Sequence, residues 1–237
     1  MQRGSFQWMK SLNKSIILNK IRKEGPISRA QIAKETKLTP PTVGSIVKEL
    51  IEQGLVKEGI QGASQGGRKP TMLMINDKEF YIIGIDAGPK VIDFVLTDLS
   101  GHMVSHHNQA IMMDISNQQF INLLKIGIQT ILDEHIDLTD KVIGIGVAMH
   151  GVVDVENGIS LFAPNLNLRD IPIKQELEQE FDLTVKVEND ARSMALGEAW
   201  FGNSQDTSTM MAVNIGRGVG AGIVINGSLY HGEFDLA

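Results

Sequence analysis

Cysteine is missing from all 237 residues, which excludes disulfides and thiolate metal sites. Nor does any apolar run approach the roughly 18 residues that a bilayer-spanning helix needs, so no membrane partner is expected. The first ten residues hold no apolar stretch ahead of a small-residue cleavage site, and no signal peptide is read there. These absences together lead to the expectation of a cytoplasmic protein. Aromatic residues are scarce at 5%, while apolar residues reach 42% and glycines number 24, a balance that suits an α/β chain with many tight turns.

Acidic residues are scarce in one place only. Residues 1–75 carry 13 Lys/Arg against 5 Asp/Glu, a balance of +8; residues 76–237 carry 9 against 23, a balance of −14. A basic head on an acidic body is the asymmetry expected where only the first segment meets phosphate. A solvated, lysine-rich helix would produce the same count. The boundary near residue 75 divides the chain into two expected domains, 1–75 and 76–237.

The head reads as three short helices. Ile16, Ile17, Leu18 and Ile21 give an apolar stripe between Asn13 and Glu24, and Gly25-Pro26 ends it. Ser28 is placed to cap a second helix, with Gln31 completing a capping box; Ala30, Ile32 and Ala33 are its apolar positions, and it ends near Thr36. Thr39 caps a third helix whose first turn holds Pro40 and Pro41, where a missing N–H costs nothing. Val43, Ile46, Val47 and Leu50 form its core face. The opposite face carries Thr42, Gly44, Ser45 and Lys48, small or basic residues that leave room to approach a groove. Gly54 closes this helix, and Leu55–Glu58 and Thr71–Ile75 follow as a two-stranded ribbon with a long tip, Gly66-Gly67-Arg68-Lys69-Pro70. Three helices and a ribbon make a winged helix-turn-helix. Its expected DNA contacts are Ser28, Arg29, Thr39, Thr42, Ser45 and Lys48, with Arg68 and Lys69 at the wing. The competing reading is a small helical bundle for protein contacts.

From about Phe80 the chain becomes mixed α/β. Strands are expected at Tyr81–Asp86, Val91–Leu99, Met103–Ile111, Val142–Ala148, Thr184–Glu188, Met210–Ile215 and Gly220–Ile225, with a turn at Asn226-Gly227. Helices are expected at Asn117–Glu134, Ile173–Phe181 and Ala191–Phe201. The first of these should turn Phe120, Leu123, Leu124, Ile128, Ile131 and Leu132 inward. His102, His106 and His107 resemble a metal cluster, but strand alternation sends 106 and 107 to opposite faces, so no metal is expected.

Several of these segments resemble the ROK family, the bacterial repressors and sugar kinases built on the actin/hexokinase-like (ribonuclease H-like) ATPase fold. The resemblance rests on the wing Gly66–Pro70, Gly84-Ile-Asp86-Ala-Gly88, Ala163-Pro164-Asn165-Leu166, Glu188-Asn189-Asp190-Ala191 with Ala195-Leu-Gly-Glu198, and Gly216-Arg-Gly-Val-Gly-Ala-Gly222, in the family's order. A winged helix ahead of that domain matches the repressor branch, in which regulators of xylose and N-acetylglucosamine use are familiar types. The resemblance implies sugar contacts from Asn165 and Asn189, from Asp190 (the catalytic base in the kinases) and from the backbone at Gly151. His150 stands where the family usually has proline. As a cap for the helix at Ala191, Asp190 has a purely structural alternative role.

The phosphate loops depart from the family's kinases. Asp86 and Gly88 remain in the first turn, but Pro89 and Lys90 replace a glycine and a threonine, so an N–H and a hydroxyl are lost. In the second loop Arg217 stands between Gly216 and Gly218, where the kinases have threonine. ATP binding is therefore expected to be weak or absent, with no cofactor and no catalysis. The family continues past Ala237 into a Gly-Glu-x-Gly-His segment, a cysteine-rich zinc loop and most of its second lobe, so that lobe is expected to be incomplete. The leading expectation is a sugar-responsive repressor, a homodimer on an inverted-repeat operator in double-stranded DNA. The alternatives are an ATP-dependent sugar kinase and a DNA-binding fragment without a working sensor.

Overall fold

The computed structural model describes residues 6–61, 69–112, 114–204, 207–216 and 218–232. The chain divides into two compact units, Met1–Glu79 and Phe80–Ala237.

In the first unit the helices are α1 (Phe6–Glu24), α2 (Arg29–Thr36) and α3 (Pro40–Glu52), and the strands are β1 (Ile27–Ser28), β2 (Val56–Gln61) and β3 (Thr71–Ile75). Their core is aliphatic: Ile17, Ile21, Ile27, Ile32, Val43, Ile46, Val47, Leu50, Val56 and Leu73 are all buried. Helix α1 begins at Phe6, seven residues before the expected Asn13. Trp8, Met9 and Leu12 on the added turns are exposed, so they leave no core stripe to read. Ser28 does cap α2, its Oγ accepting from the Gln31 amide at 3.2 Å. The expected capping box is incomplete, because the Gln31 side chain turns away and donates to Glu35 at 2.9 Å. Ala30 is exposed rather than part of the core. Thr39 accepts from the Thr42 amide at the start of α3. At the other end, Gly54 adopts φ 74°, and Leu55 N–H donates to Leu50 O at 3.0 Å while Gly54 N–H donates to Ile51 O at 2.9 Å. This pair of bonds satisfies carbonyls that the helix end would otherwise leave open.

The ribbon has three strands rather than two, in the order β1-β3-β2. Ile27 pairs with Leu73 and Ser28 with Met72; two residues are too few to show a strand period. Strand β2 runs antiparallel to β3 with a register shift between Glu58 and Gln61. Asn76 closes the unit by donating from its amide to Leu55 O and from Nδ2 to Gly54 O.

The second unit contains β4 (Tyr81–Ala87), β5 (Val91–Asp98), β6 (Met103–Ala110), α4 (Asn117–Glu134), β7 (Val142–Met149), β8 (Val152–Asp154), β9 (Ile159–Ala163), β10 (Leu168–Ile171), α5 (Ile173–Phe181), β11 (Thr184–Asn189), α6 (Asp190–Phe201), β12 (Met210–Ile215), β13 (Val219–Ile225) and β14 (Ser228–Tyr230). A five-stranded sheet in the order β11-β7-β4-β5-β6 is its centre. Strands β4, β5 and β6 form an antiparallel meander, and β4-β7 and β7-β11 are parallel. One face of that sheet carries Ile83, Ile85, Ile92, Phe94, Leu96, Ile145 and Val147, and α4 and α5 pack in the same core. Ser116 and Gln119 form a reciprocal capping box at the start of α4. Ile121 and Gly127 are buried on α4, whereas the expected core residues Leu123 and Leu132 sit at its rim. Gly127 makes room for Phe94, since a Cβ there would lie 2.1 Å from the ring and force it to shift.

Sequence reading missed the small antiparallel sheet β10-β9-β8, whose strands span three to five residues, and it missed β14. Asn226 and Gly227, both at positive φ, turn β13 back into β14. Helix α6 packs on one face of the β12-β13-β14 sheet through Gly222, where a Cβ would lie 2.6 Å from that of Ala195. His106 bonds Asp93 at 2.8 Å while His107 lies near the Phe94 ring, so the two do point to opposite faces. No cluster of three metal-ligating side chains occurs among the described residues, and no described helix is long and apolar enough to cross a membrane.

Candidate functional site

In the first unit the core face of α3 turns its other side outward. Ser45 and Lys48 are exposed and Thr42 is half-buried, while the Thr39 and Thr42 hydroxyls share a hydrogen bond of 2.8 Å. The Lys48 ammonium is 3.7 Å from Glu52, a loose pair on exposed side chains that a phosphate can displace. Arg29 at the start of α2 is held more firmly, 2.7 Å from Glu58 on β2. Ser28 is buried and its hydroxyl oxygen is used in capping. A cleft of about 600 Å³ between α2 and α3 is lined by Arg29, Ala30, Ala33, Lys34, Leu38 and Pro40. Lys69 is exposed; Gly66, Gly67 and Arg68 lie outside the described residues.

In the second unit, the parallel strands bring three chain segments to one edge. Ala87 and Asn189 both pair with Met149, so the ends of β4, β7 and β11 stand side by side. Ligands of open α/β sheets gather outside such carboxyl ends. Asp86 and Gly88 flank Ala87, His150 and Gly151 follow β7, and Asn189 and Asp190 join β11 to α6.

Gly151 sits at φ 89°, and a Cβ there would lie 2.1 Å from Phe162 O and 2.7 Å from Pro164 Cδ. The turn carrying Asn165 is thereby pressed against the end of β7, and Asn165 itself is exposed. Asn189 Nδ2 donates to Gly151 O at 3.0 Å, and its Oδ1 accepts from the Arg192 amide at 3.1 Å. Asn189 is therefore the N-cap of α6, a role the sequence had offered to Asp190. Asp190 instead accepts only from the neighbouring Ala191 amide, at 2.8 Å, leaving its second oxygen without a protein donor among the described residues.

Three of the four sugar positions suggested by sequence thus meet directly or through one neighbour. The electrostatics are acidic. Burial pushes the Asp86 carboxyl above its ordinary value, and the charges of Asp190 and Asp93 add to that rise. Gly88 is confined, since a Cβ there would lie 2.9 Å from Val91 O. Gly216 and Gly218 lie in the β12–β13 turn of the other sheet, where the Gly216 amide already donates to Gly218 O at 2.9 Å; Arg217 lies outside the described residues.

Two residues here were not singled out for a site. Glu188 accepts at Oε1 from Arg192 Nε and from the Asn189 amide, each at 2.7 Å, and its Oε2 lies 2.7 Å from His231 Nε2. Its sequence signals were its place in the Glu188–Ala191 motif and the i,i+4 spacing to Arg192. His150 is buried, with Nδ1 3.0 Å from Ala87 O; a single histidine carries no such signal.

Comparison with known proteins bears on both units. The ROK family model matches residues 82–237, and a winged helix-turn-helix DNA-binding model matches residues 13–57. The xylose repressor of Bacillus subtilis (strain 168) is 36% identical over 228 residues, covering 95% of this chain and 58% of the relative. An N-acetylglucosamine repressor of Escherichia coli O6:H1 is 33% identical over 232 residues, covering 98% of this chain and 57% of the relative. The chain therefore spans under two thirds of the length of these relatives. A crystal structure of a transcriptional regulator, described as a homologue of the E. coli MLC protein, superimposes with a TM-score of 0.83 at 30% identity, over 95% of this chain and 57% of that one.

Proposed function

Because this chain belongs to the ROK family and carries a winged helix-turn-helix, we propose that it is a sugar-responsive transcriptional repressor. Residues 1–75 grip operator DNA and residues 76–237 sense a sugar. Thr39, Thr42, Ser45 and Lys48 enter the major groove on α3, Arg29 and the α2 cap at Ser28 meet the backbone, and Arg68 and Lys69 on the wing reach the adjacent groove. Gly151, Asn165, Asn189 and Asp190 bind sugar hydroxyls. A homodimer on an inverted repeat follows from the one-helix-per-half-site geometry of such domains, and the site of action is the cytoplasm. The observation that carries the reading is that the first unit exposes Ser45 and Lys48 on α3, while in the second Gly151, Asn189 and Asp190 gather at the carboxyl edge of the sheet beside a first turn holding Pro89 and Lys90. Pro89 has no N–H to offer a phosphate, and Lys90 lacks the hydroxyl that the kinases place there. The protein is accordingly not an enzyme and takes no nucleotide cofactor.

Selection of bound duplexes from a random-sequence pool tests the reading. Enrichment of an inverted repeat is expected, with release on adding D-xylose, D-glucose or N-acetyl-D-glucosamine. A pool that stays random defeats the repressor assignment, and an operator complex indifferent to all three sugars defeats the sensor. The Asp86 and Asp190 carboxylates are what favours a sugar kinase instead, and a coupled ATP assay giving sustained turnover with any of the three would establish that alternative.

A further inference from the structure

His150 is 6% exposed, the most enclosed histidine among the described residues. A carbonyl only accepts, so the 3.0 Å contact between Nδ1 and Ala87 O puts the ring proton on Nδ1. In the neutral imidazole with its proton there, Nε2 is the accepting lone pair on the far side of the ring from Ala87. It is buried and has no partner among the described residues. Buried polar atoms are almost always satisfied, so an orphan of this kind at a binding edge marks a place where something else completes the bond.

The surroundings say what that is. His150 precedes Gly151, whose carbonyl is bonded to Asn189, and its Nδ1 is tied to the carbonyl of Ala87, the residue that follows Asp86. The carboxylates of Asp86 and Asp190 and an imidazole lone pair are all acceptors. Such a locus repels phosphate and carboxylate and takes a neutral donor.

We propose that His150 is a sugar-contact residue, its Nε2 accepting a hydroxyl of the free sugar at the edge formed by Gly151, Asn189 and Asp190. This rests on the sensor reading above and extends it. The Nδ1–Ala87 bond serves a second purpose: it ties the end of β7 to the first turn, and so holds Nε2 in place.

Two substitutions separate the two nitrogens. An asparagine amide lies where Nδ1 lies, and a glutamine amide reaches to the place of Nε2. His150→Asn keeps a donor for Ala87 and loses the acceptor; His150→Gln keeps an acceptor near Nε2 and loosens the tie. Calorimetric titration with D-xylose, D-glucose and N-acetyl-D-glucosamine is run on all three proteins, with melting temperature as the folding control. For the sugar that binds, His150→Asn is expected to melt like the wild type yet bind about 10-fold more weakly. His150→Gln is expected to melt lower yet bind within about 3-fold of the wild type, since its acceptor is retained. In the wild type, the 15N resonance of Nε2 is expected to move on sugar addition. Equal affinity of wild type and His150→Asn, or an Nε2 resonance indifferent to a sugar that does bind, overturns this inference and leaves the sensor standing. No binding of any of the three sugars by the wild type overturns both.

Discussion

At Gly151 a backbone angle and a neighbouring carbonyl jointly exclude every side chain. With φ at 89° and Phe162 O 2.1 Å from a built Cβ, Gly151→Ala meets strain and overlap at once, and a loss of about 2–3 kcal/mol is expected. Urea denaturation measures it, and a change below about 0.5 kcal/mol, the range of an inert surface site, would contradict the contact. Asp86 makes a different kind of test. Its carboxyl titrates above the ordinary value because burial and the Asp190 and Asp93 charges disfavour the ionised form. Relative to the unfolded chain, the fold therefore favours the protonated acid, an advantage complete below the unfolded value near about 4 and lost as pH rises through the folded one. Asp86→Asn should accordingly raise the melting temperature at neutral pH, with the gain vanishing toward about pH 4. A gain that persists undiminished in acid would point to packing rather than charge.

Elements depend on how such residues are tied together, and α1 and α2 are joined by one lysine. Lys20 pairs with Glu24 at 2.6 Å and also with Glu35. The Lys20 ammonium, helped by the Gln31 amide, holds the Glu35 carboxyl down to about 2. That tie is complete above the unfolded carboxylate value of about 4.3 and is lost as pH falls toward the folded one. Glu35→Gln should flatten the fall in melting temperature between neutral pH and about pH 3, as followed by circular dichroism; parallel curves would show the pair to be inert, as many exposed pairs are.

Legibility from sequence also divides by element. Helices α3 and α4 were readable because Val43, Ile46, Val47, Leu50 and Phe120, Leu124, Ile128, Ile131 repeat with the helical period against a single core. Strands β1, β8 and β10 were not, since two to four residues hold no period and are strands only because a partner lies beside them. The first turns of α1 were missed for the opposite reason: their apolar residues face outward. In the site, Gly151 and Asn189 meet across 38 residues of sequence, and only the parallel pairing of β7 and β11 brings them together. Asp190 lost its expected capping role because α6 begins at Asp190 itself, one residue before the expected Ala191, which leaves the cap to Asn189.

For the whole molecule, the dominant asymmetry is charge: a head at +8 and a body at −14. Binding to DNA by the head alone should weaken steeply with salt. Arg68→Ala is expected to lower the slope of log K against log salt by about one, as one cationic contact with the DNA is lost. A fluorescence-anisotropy titration over several salt concentrations measures that slope, and an unchanged value would remove Arg68 from the interface. The body, being acidic, should add nothing to it.

The β12-β13-β14 sheet closes the chain's second unit with one face packed on α6 through Gly222. Its other face carries Met211, Val213, Ile215, Val219 and Tyr230, each at least 48% exposed. Water meets there a surface built like an interior. Two such faces can cover one another, and since their encounters rise with the square of concentration, copies of this chain are expected to pair as it is concentrated.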